Sequence, residues 1–386
     1  MTTVYLVRHA EAEGNVYRRC QGWYNSLITG NGYQQIEALS KRFEGVQVDA
    51  VYSSDLFRTM TTAGAVYKPR GLTLRTDPGL REVGVGVWED HTWGWLRRFD
   101  GQKLEEFNVA HPEWKVERSD TFAGLQERVC ATILKLAAAH DGQTIALFSH
   151  GTAIRTALAK FYGLPLDRIT EIAHGDNTSV ACLEVEGDRV KVLYYNDNSH
   201  LGELSTLARQ SWWRENDQTD YGMVNLWYRP MDLNTEAELY LNCWREAWQT
   251  IHGTLDRFEE ERFLNDARAQ SVDNPKNLFA VMQKDNVVGI LQLDIKNGAE
   301  QGVGRIPFFY LNPNTRHQGL GIQLIGQAIS VYRPLGRDKL RLRCAQDNEV
   351  AQRFYHRYGF RKVGEEPGAF GMLDILEKYI GYEEQA

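Results

Sequence analysis

Two arginines and two histidines stand where apolar, strand-like stretches of the sequence turn polar. Arg8 and His9 follow an apolar run near the N-terminus, and His150 follows a second such run. Arg58 lies in the first turn of a segment with the Ser-Asp pattern of a helix start. In open α/β sheets, ligands bind outside the carboxyl ends of the strands. Guanidinium groups and the free N–H groups of a helix start bind anions, so the four residues predict a phosphate site.

The elements that must hold these residues alternate between strand-like and helix-like patterns. Short apolar runs are separated by segments whose apolar residues recur at helical spacing. The predicted order is strand 4–7, helix 30–43, strand 46–52, helix 121–140, strand 145–148, helix 152–162, and strands 177–185 and 189–195. Such alternation predicts an α/β domain with three layers, in which helices cover both faces of a mainly parallel sheet.

The length of 386 residues exceeds one comfortable hydrophobic core and predicts two domains. Residues 202–222 lose the periodic pattern and become polar, so we expect a linker there, between domains at 1–201 and 223–386. In the second domain, strands are predicted at 224–228, 278–283, 287–295, 303–311 and 339–344, with helices at 236–249, 258–269, 322–332 and 348–358.

Composition limits the partners and the compartment. The net charge of −7 argues against nucleic acid or an anionic membrane as the main partner. The five cysteines lie far apart with no Cys-x-x-Cys pair, which indicates neither a disulfide framework nor a zinc site. The N-terminus has no signal-peptide pattern, and no apolar run approaches transmembrane length. We therefore expect a cytoplasmic protein, whose oligomeric state the sequence does not indicate.

The phrases around these residues, with a further phrase around Glu82, resemble the histidine phosphatase superfamily, in its phosphoglycerate-mutase-like branch. They are RHAE followed by Asn15, SSDLFRT with Arg58, LREVGVGVWE with Glu82, and SHG with His150. The resemblance covers residues 3 to about 201. Ala10 stands where Gly is usual, and Ala12 stands where Thr or Ser is common. The second change removes a hydroxyl group that could contact phosphate.

The resemblance implies phosphomonoester chemistry for which no cofactor is required. His9 would attack phosphorus as a neutral imidazole, with its other ring nitrogen held as a donor to a carbonyl group. Glu82 would protonate the leaving alkoxide and would then act as the base toward the attacking water. The residues implied to hold the phosphoryl group are Arg8, Asn15, Arg58 and His150.

Other interpretations compete at this site. Glu11, two residues after His9, is better explained as a carboxylate paired with a pocket arginine than as a catalytic group. A metal site made from His9, Glu11 and His150 is disfavoured, because the arginines would repel a cation. The tryptophans between residues 82 and 114 are better explained as local packing than as a lid over the substrate.

Phosphatases and mutases both fit these phrases. Mutases of this family usually carry a longer insertion after the acid, which shields the phosphoenzyme from water. The interval from Glu82 to His150 looks short for such an insertion. We therefore favour a phosphatase that acts on a small phosphorylated metabolite, with a phosphoglycerate-type mutase as the alternative.

A second set of residues follows the predicted strand 303–311. The phrase RHQGLG (residues 316–321) precedes a helix, and its glycines let the backbone approach a pyrophosphate. Together with the later helix that holds Asn348 and Tyr355, this phrase resembles the GNAT family of N-acetyltransferases, over residues 223–380. The resemblance implies an α+β fold with a mixed sheet, and acetyl-CoA as the cofactor.

The same resemblance implies roles for individual residues. Tyr355 would protonate the departing thiolate, and Asn348 would cap its helix and touch the cofactor. The amide of Leu311 would meet the pantetheine arm. The backbone N–H groups implied to hold the pyrophosphate are those of Gln318, Gly319, Leu320, Gly321 and Ile322, and Arg316 is implied to bind the cofactor as well.

The general base of this second site is missing from the expected strand. Residues 303–311 carry no carboxylate, so deprotonation of an amine would need Asp294, Glu300 or a chain of waters. This leaves open a domain that binds acetyl-CoA as a sensor, or a protein that is a pair of binding modules. We favour a bifunctional enzyme whose second partner is an amine acceptor. The fusion suggests a single metabolite that bears both a phosphate and an amine.

Overall fold

The computed structural model of the protein describes residues 1–210 and 221–382, which form two compact units. Of the described residues, the first unit contains Met1–His91 and 96–210, and the second contains Thr92–Trp95 and 221–382. The elements up to residue 210 are β1 (Thr2–Arg8), α1 (Glu13–Val16), α2 (Gly30–Arg42), β2 (Ala50–Ser53), α3 (Phe57–Tyr67), β3 (Leu74–Thr76), α4 (Trp93–Phe99), α5 (Gly101–Asn108), α6 (Phe122–Ala138), β4 (Thr144–Ser149), α7 (Gly151–Phe161), β5 (Val180–Glu186), β6 (Arg189–Asp197) and α8 (Thr206–Arg209).

The first unit is built on a sheet whose strands lie in the order β3-β2-β4-β1-β5-β6. The pairs β3–β2, β2–β4 and β4–β1 are parallel, whereas β5 and β6 are antiparallel to their neighbours. The apolar side chains of β4 are completely buried. Such continuous apolar runs are typical of strands that helices cover on both faces. The predicted three-layer α/β fold with a mainly parallel sheet is confirmed.

Two strands of this sheet are shorter than predicted. The predicted strand 46–52 is reduced to β2, because its first residue still belongs to the turn after α2, where the Val46 N–H donates to Phe43 O at 3.1 Å. β5 begins only at residue 180, because the residues before it form a turn closed by the Ser179 N–H and Asp176 O at 3.1 Å. Both differences come from turns that extend into apolar runs.

The parallel strands bring the predicted site residues to one edge of the sheet. Arg8 at the end of β1 is paired with Ser149 at the end of β4. The His9 N–H extends this pairing by donating to Ser149 O at 3.0 Å, and the Ser54 N–H donates to Phe148 O at 3.0 Å after β2. Helices α3 and α7 begin just beyond these strand ends. Their first N–H groups therefore face the same edge.

The tryptophan-rich segment contributes to the core of the first unit. Trp88 and Trp114 are almost completely buried, and their ring centroids lie 5.2 Å apart. Phe107 lies 5.0 Å from Trp114, and Phe122 of α6 lies 5.5 Å from it. The Trp114 indole N–H donates to Lys103 O at 3.0 Å. These contacts are those of local packing.

We expect Trp114→Ala to lower the free energy of unfolding of the first unit by about 3–5 kcal/mol, because it removes a buried aromatic ring and leaves a cavity. Urea denaturation followed by circular dichroism measures this change. The control is Val87→Ala in the same segment, where the side chain is 44% exposed and a loss below about 1 kcal/mol is expected. Equal losses in the two variants would show that the aromatic cluster contributes little to stability.

The second unit is also built on one sheet. Its elements are α9 (Tyr221–Val224), β7 (Trp227–Pro230), α10 (Ala237–His252), α11 (Glu260–Asp273), β8 (Leu278–Gln283), β9 (Asn286–Asp294), β10 (Val303–Leu311), α12 (Gly321–Tyr332), β11 (Lys339–Ala345), α13 (Glu349–Arg357), β12 (Arg361–Pro367) and β13 (Met372–Tyr379). The strand order is β12-β13-β11-β10-β9-β8-β7, in which β10 and β11 are parallel and the other pairs are antiparallel. The predicted mixed sheet is confirmed. The predicted strand 224–228 begins later, at Trp227, because residues 221–224 form α9.

Strands β10 and β11 pair over only part of their length. Residues 303–306 pair with residues 339–342, and no later residue of β10 pairs with β11 within the described chain. The register between β10 and β9 also shifts between Arg305 and Phe308, beside Pro307. Because proline has no N–H to donate, the ladder is interrupted there. The C-terminal half of β10 therefore has an open edge on the side of β11.

The predicted linker, residues 202–222, is only partly described. A 3-10 helix (Gly202–Leu204) and α8 bond to α2, where Gln35 Nε2 donates to Leu204 O at 2.8 Å and to Thr206 Oγ1 at 2.9 Å. Residues 211–220 of the predicted linker lie outside the described residues. The proposed domain boundaries therefore stay a prediction. No helix of the described chain combines the length and the apolar composition needed to cross a membrane.

Candidate active site

His9 lies just beyond β1 and is 3% exposed. Its Nδ1 lies 2.8 Å from Ala10 O, so Nδ1 carries the hydrogen and Nε2 keeps a free electron pair. The main chain is fixed as well, since Asn177 Nδ2 donates to His9 O at 2.9 Å. Burial, and then the charges of Arg58 and Arg8, hold the pKa of His9 well below its usual value. The ring is therefore neutral at neutral pH, as a nucleophile must be.

His150 lies at the end of β4, with its ring centroid 5.3 Å from that of His9. Its Nε2 lies 2.8 Å from Ser54 Oγ, whereas its buried Nδ1 has no hydrogen-bond partner among the described residues. Burial, followed by the charge of Arg58, holds the pKa of His150 well below its usual value. We assign the hydrogen of the neutral ring to Nδ1, because this tautomer accepts from Ser54 and leaves one donor for an anion.

Arg8 and Arg58 are anchored by the backbone through their terminal nitrogens. Arg58 donates to Tyr24 O at 2.9 Å and to Gly22 O at 2.7 Å, and Arg8 donates to Gly175 O at 2.6 Å. The Nε atoms of both guanidiniums are buried and make no hydrogen bond within residues 1–210 and 221–382. Burial lowers the pKa of Arg58 to about 10, so it remains charged at neutral pH. Together with His150 Nδ1, the site holds three buried donors that an anion would satisfy.

The Glu82 side chain contacts the first turn of α7, the helix that begins directly after His150. Its Oε1 accepts from the Ala153 N–H at 2.8 Å, and its Oε2 accepts from the Thr152 N–H at 3.0 Å. A Cβ atom on Gly151, the residue before Thr152, would lie 3.2 Å from Arg8 Nε, so the start of α7 that Glu82 contacts also borders Arg8. The structure thus brings Arg8, His9, Arg58, Glu82 and His150 together.

Asn15 and Glu11 are placed differently. Asn15 Oδ1 accepts from the Ala12 N–H at 2.9 Å, so this oxygen caps α1, and only the amide nitrogen remains for a phosphate. Glu11 accepts from Thr29 Oγ1 at 2.7 Å and from Thr206 Oγ1 at 3.0 Å. Glu11 also accepts from Asn31 Nδ2 at 3.3 Å, and Arg209 of α8 lies 3.9 Å from its Oε2. Within the part of the chain that the structure describes, the arginine that pairs with Glu11 is therefore Arg209, and neither Arg8 nor Arg58 pairs with it. Among the described residues, no group of three or more His, Cys, Asp or Glu side chains could hold a metal ion.

Glu89 is a residue that sequence reasoning did not assign. Its carboxylate accepts from the N–H groups of Gly22 at 3.1 Å, Trp23 at 2.7 Å and Tyr24 at 2.8 Å. The carbonyl groups of Gly22 and Tyr24 hold Arg58. Glu89 therefore orders the loop that orients this guanidinium. The only signal in the sequence was its place at the end of the phrase that contains Glu82.

The second candidate site begins with the loop between β10 and α12. His317 and Gly319 have left-handed backbone conformations, with φ of 62° and 71°. Within the described chain, the backbone N–H groups of five consecutive residues make no hydrogen bond; they belong to Gln318, Gly319, Leu320, Gly321 and Ile322. Such a row of free donors at a helix start fits a pyrophosphate.

Leu311 and Arg316 border this loop. The Asn312 N–H donates to Val288 O of β9 at 2.8 Å, so the N–H of the preceding Leu311 faces the open edge of β10. The Arg316 guanidinium is already engaged, because it donates to Leu311 O at 2.8 Å and to Glu246 of α10 at 2.5 Å. Arg316 thus ties the loop to α10, and its contact with the cofactor stays a prediction.

Tyr355 and Asn348 lie on or next to α13. The Tyr355 ring packs 5.8 Å from Phe309 of β10 and 5.4 Å from Phe360. Burial raises the pKa of Tyr355 above its usual value, so the phenol is protonated at neutral pH. Asn348 Oδ1 accepts from the Ala351 N–H at 3.1 Å and caps α13. The predicted capping role of Asn348 is therefore observed.

The two carboxylates considered as general bases are placed near the start of β10. Asp294 accepts from the Asn297 N–H at 3.0 Å and from Asn297 Nδ2 at 2.6 Å, contacts that close a turn. Glu300 lies exposed in a 3-10 helix (Ala299–Gln301). Neither contact pattern identifies a base.

Family models match both units of the chain. The model of the histidine phosphatase superfamily (branch 1) matches residues 4–198, and the model of the acetyltransferase (GNAT) family matches residues 234–360. These ranges contain the residues and phrases from which both resemblances were predicted, and both predictions are confirmed.

Individual relatives match the N-terminal half. A probable phosphoglycerate mutase GpmB from Proteus mirabilis is 32% identical over 165 residues, which cover 43% of this chain and 77% of that protein. A putative phosphoserine phosphatase 2 from Hydrogenobacter thermophilus is 29% identical over 208 residues, which cover 53% of this chain and 100% of that protein. The solved structure of Bacillus stearothermophilus YhfR is 34% identical, covers 52% of this chain and 99% of its own, and has a TM-score of 0.50. The chain therefore belongs to the histidine phosphatase superfamily, branch 1, and joins to this domain a second domain of the GNAT acetyltransferase family.

Proposed function

We propose that the N-terminal domain is a phosphomonoesterase that acts on a small phosphorylated metabolite through a phosphohistidine. The observation that carries the proposal is the set of three unpartnered buried donors, Arg8 Nε, Arg58 Nε and His150 Nδ1, beside a neutral His9 with a fixed tautomer. A phosphoryl group needs positive charge around its oxygens and a nucleophile in line with the leaving oxygen. These residues supply both.

In this proposal His9 Nε2 attacks phosphorus, and the N–P bond forms as the ester P–O bond breaks. Glu82 gives its proton to the departing alkoxide. The Glu82 carboxylate then takes a proton from water, whose oxygen attacks phosphorus and releases inorganic phosphate. His9 returns to its neutral form, and Arg8, Arg58 and His150 neutralise the equatorial oxygens throughout.

The test is a panel of phosphorylated sugars, amino acids and glycerates incubated with the full chain, with release of inorganic phosphate as the readout. We expect turnover of at least one ester, unchanged by a chelator. Loss of turnover with the chelator would overturn the mechanism, and absence of phosphate release over the whole panel would count against a phosphatase.

A phosphoglycerate-type mutase is the second candidate, because a relative with 32% identity is described as a probable phosphoglycerate mutase. The relative described as a putative phosphoserine phosphatase covers more of this chain, 53% against 43%. Incubation with 3-phosphoglycerate, with and without 2,3-bisphosphoglycerate, separates the two. Phosphate release supports the phosphatase, whereas isomerisation that needs the bisphosphate supports the mutase.

We propose that the C-terminal domain is an N-acetyltransferase that uses acetyl-CoA. The free N–H groups of residues 318–322 would hold the pyrophosphate, and the open edge of β10 with the Leu311 N–H would hold the pantetheine arm. Calorimetry with acetyl-CoA tests binding, and a panel of polyamines, amino sugars and amino acids tests transfer. Binding without transfer to any amine would favour a sensor over an enzyme. The joined domains lead us to include metabolites that carry both a phosphate and an amine.

We expect Tyr355→Phe to lower the rate of acetyl transfer by about 10²-fold, because the departing thiolate loses its proton donor. The affinity for acetyl-CoA should stay within about 3-fold, since the ring remains in its packed position. Thiol release measures the rate, and calorimetry measures the affinity. Tyr358→Phe on the neighbouring turn is the matched control, and an equal fall in both variants would remove Tyr355 from this role.

A cytoplasmic location remains part of the proposal. All five cysteines, Cys20, Cys130, Cys182, Cys243 and Cys344, are free thiols, which fits a reducing compartment.

A further inference from the structure

Glu82 lies outside the helices and strands, and one guanidinium donates hydrogen bonds to several carbonyl groups of the segment around it. Arg128 comes from the middle of α6 and is half-buried. It donates to Pro78 O at 3.3 Å, Gly79 O at 3.1 Å, Arg81 O at 3.0 Å and Glu82 O at 3.1 Å. Two of these carbonyl groups have a second donor, because Pro78 O accepts from the Arg81 N–H at 3.1 Å and Glu82 O accepts from the Trp23 indole N–H at 2.9 Å. Arginine can bond several carbonyl groups at once, because it offers five N–H groups in a rigid fork.

Asp120 completes this clamp on the other side of Glu82. Its Oδ2 accepts from Arg128 at 3.1 Å and from the Gly84 N–H at 2.9 Å. The Asp120 N–H in turn donates to Gly84 O at 2.8 Å. This ion pair therefore contacts the backbone before, at and after Glu82, and Ser149 Oγ also donates to Leu80 O at 2.7 Å.

We propose that Arg128 is a positioning residue for Glu82, which keeps the carboxyl group at the distance and angle needed to protonate the leaving oxygen. The inference rests on the proposed phosphatase function. Arg128 donates a hydrogen bond to the backbone carbonyl of Glu82, and the Glu82 carboxyl group accepts hydrogen bonds from the N–H groups at the start of α7. Without the clamp, the segment can drift relative to α7, and a displacement of about 1 Å can cost about 10²-fold in rate.

A positioning role differs from a purely structural one in its dependence on the leaving group. An alkoxide is a poor leaving group that needs a proton, whereas p-nitrophenolate leaves without one. A residue that positions the acid should therefore matter for alkyl esters and hardly matter for the aryl ester. A residue that only stabilises the fold should affect both equally.

The test compares kcat/KM for glycerol 2-phosphate and p-nitrophenyl phosphate, because kcat/KM reports the steps up to formation of the phosphoenzyme. We expect Arg128→Met to lower kcat/KM by about 10²-fold for glycerol 2-phosphate and by less than about 3-fold for p-nitrophenyl phosphate. The matched control is Lys135→Met, two turns later on α6, where the lysine is exposed and pairs with Asp77 at 2.6 Å. The control should leave both values unchanged.

Glu82→Gln serves as the reference and should show the same preference for the aryl ester, more strongly. If Glu82→Gln loses both activities equally, the proposed role of Glu82 is wrong. If Glu82→Gln shows the preference but Arg128→Met lowers both substrates alike, or neither, the inference about Arg128 is overturned while the function stands. Should Arg128→Met fail to fold, Arg128→Lys keeps the charge without the fork, and the same selective loss is expected of it.

Discussion

Replacement of His9 by asparagine should lower phosphate release by roughly 10⁴- to 10⁶-fold, as loss of a nucleophile does in other enzymes with covalent intermediates. Asparagine can still donate to Ala10 O, so the local main chain should keep its course. It offers no basic nitrogen to phosphorus, and no phosphoenzyme can form. The remaining turnover would come from binding and charge stabilisation alone.

Radioactive phosphate transferred from substrate to protein measures the intermediate directly. We expect wild-type protein, quenched during turnover, to carry label that acid removes and base does not, as an N–P bond requires. His9→Asn should carry none. His111→Asn, at an exposed position, is the control and should label normally. Label that persists in His9→Asn would place the phosphoryl group on another residue and end the scheme.

The second large effect concerns the charge beside His9. Arg58→Met should lower kcat/KM by about 10²- to 10³-fold, because one of the donors to the developing charge is lost. It should also move the acid limb of the pH profile. Burial and then the positive charge of Arg58 hold the pKa of His9 down. Removal of that charge favours the imidazolium form, so the pKa of His9 rises toward its usual value.

The direction of the shift follows from the role of the ring. A protonated His9 cannot attack, so activity falls as pH drops through the His9 pKa, and in Arg58→Met it should begin to fall at a higher pH than in wild type. Profiles of kcat/KM against pH with one substrate measure this, because the titration of the substrate is common to both proteins. Arg75→Met, at an exposed position, is the control. If the acid limbs of the two pH profiles coincide in Arg58→Met and wild type, the charge of Arg58 does not lower the pKa of His9.

The sequence predicted the convergence of Arg8, His9, Arg58 and His150 because of a general property of parallel sheets. Each residue follows a strand or opens a helix, and the carboxyl ends of parallel strands share one edge. Glu82 was found differently. It follows no strand, and only the phrase around it pointed to a role. Its bonds to the first N–H groups of α7 depend on the path of a loop, which no local pattern encodes.

The supporting residues were missed for a related reason. Glu89 and Arg128 act on backbone groups of other segments, and the residues they hold are 46 to 67 positions away in the sequence. Their types are common on helices and in loops, so nothing in the local pattern separates them from surface charges. The capping bond of Asn15 Oδ1 was not predicted, and the contact of the Asn15 amide nitrogen with phosphate stays a prediction.

In the second domain, too, some features were predictable from the sequence and others were not. The bounds of β10 matched the predicted strand, since its apolar residues are bordered by turns on both sides. The open edge of β10 was not predictable, because it depends on where β11 ends its pairing. Arg316 was expected to bind the cofactor, and its bond to Glu246 was not predictable, because it depends on the approach of α10.

The hydrogen bond between His9 Nδ1 and Ala10 O joins a side chain to the very next peptide group. Where a separate carboxylate orients a catalytic histidine, one substitution of that carboxylate can invert the tautomer. Here the orienting atom belongs to the main chain, which every amino acid at position 10 supplies. Substitution of the Ala10 side chain therefore leaves in place the acceptor that fixes the tautomer of the nucleophile.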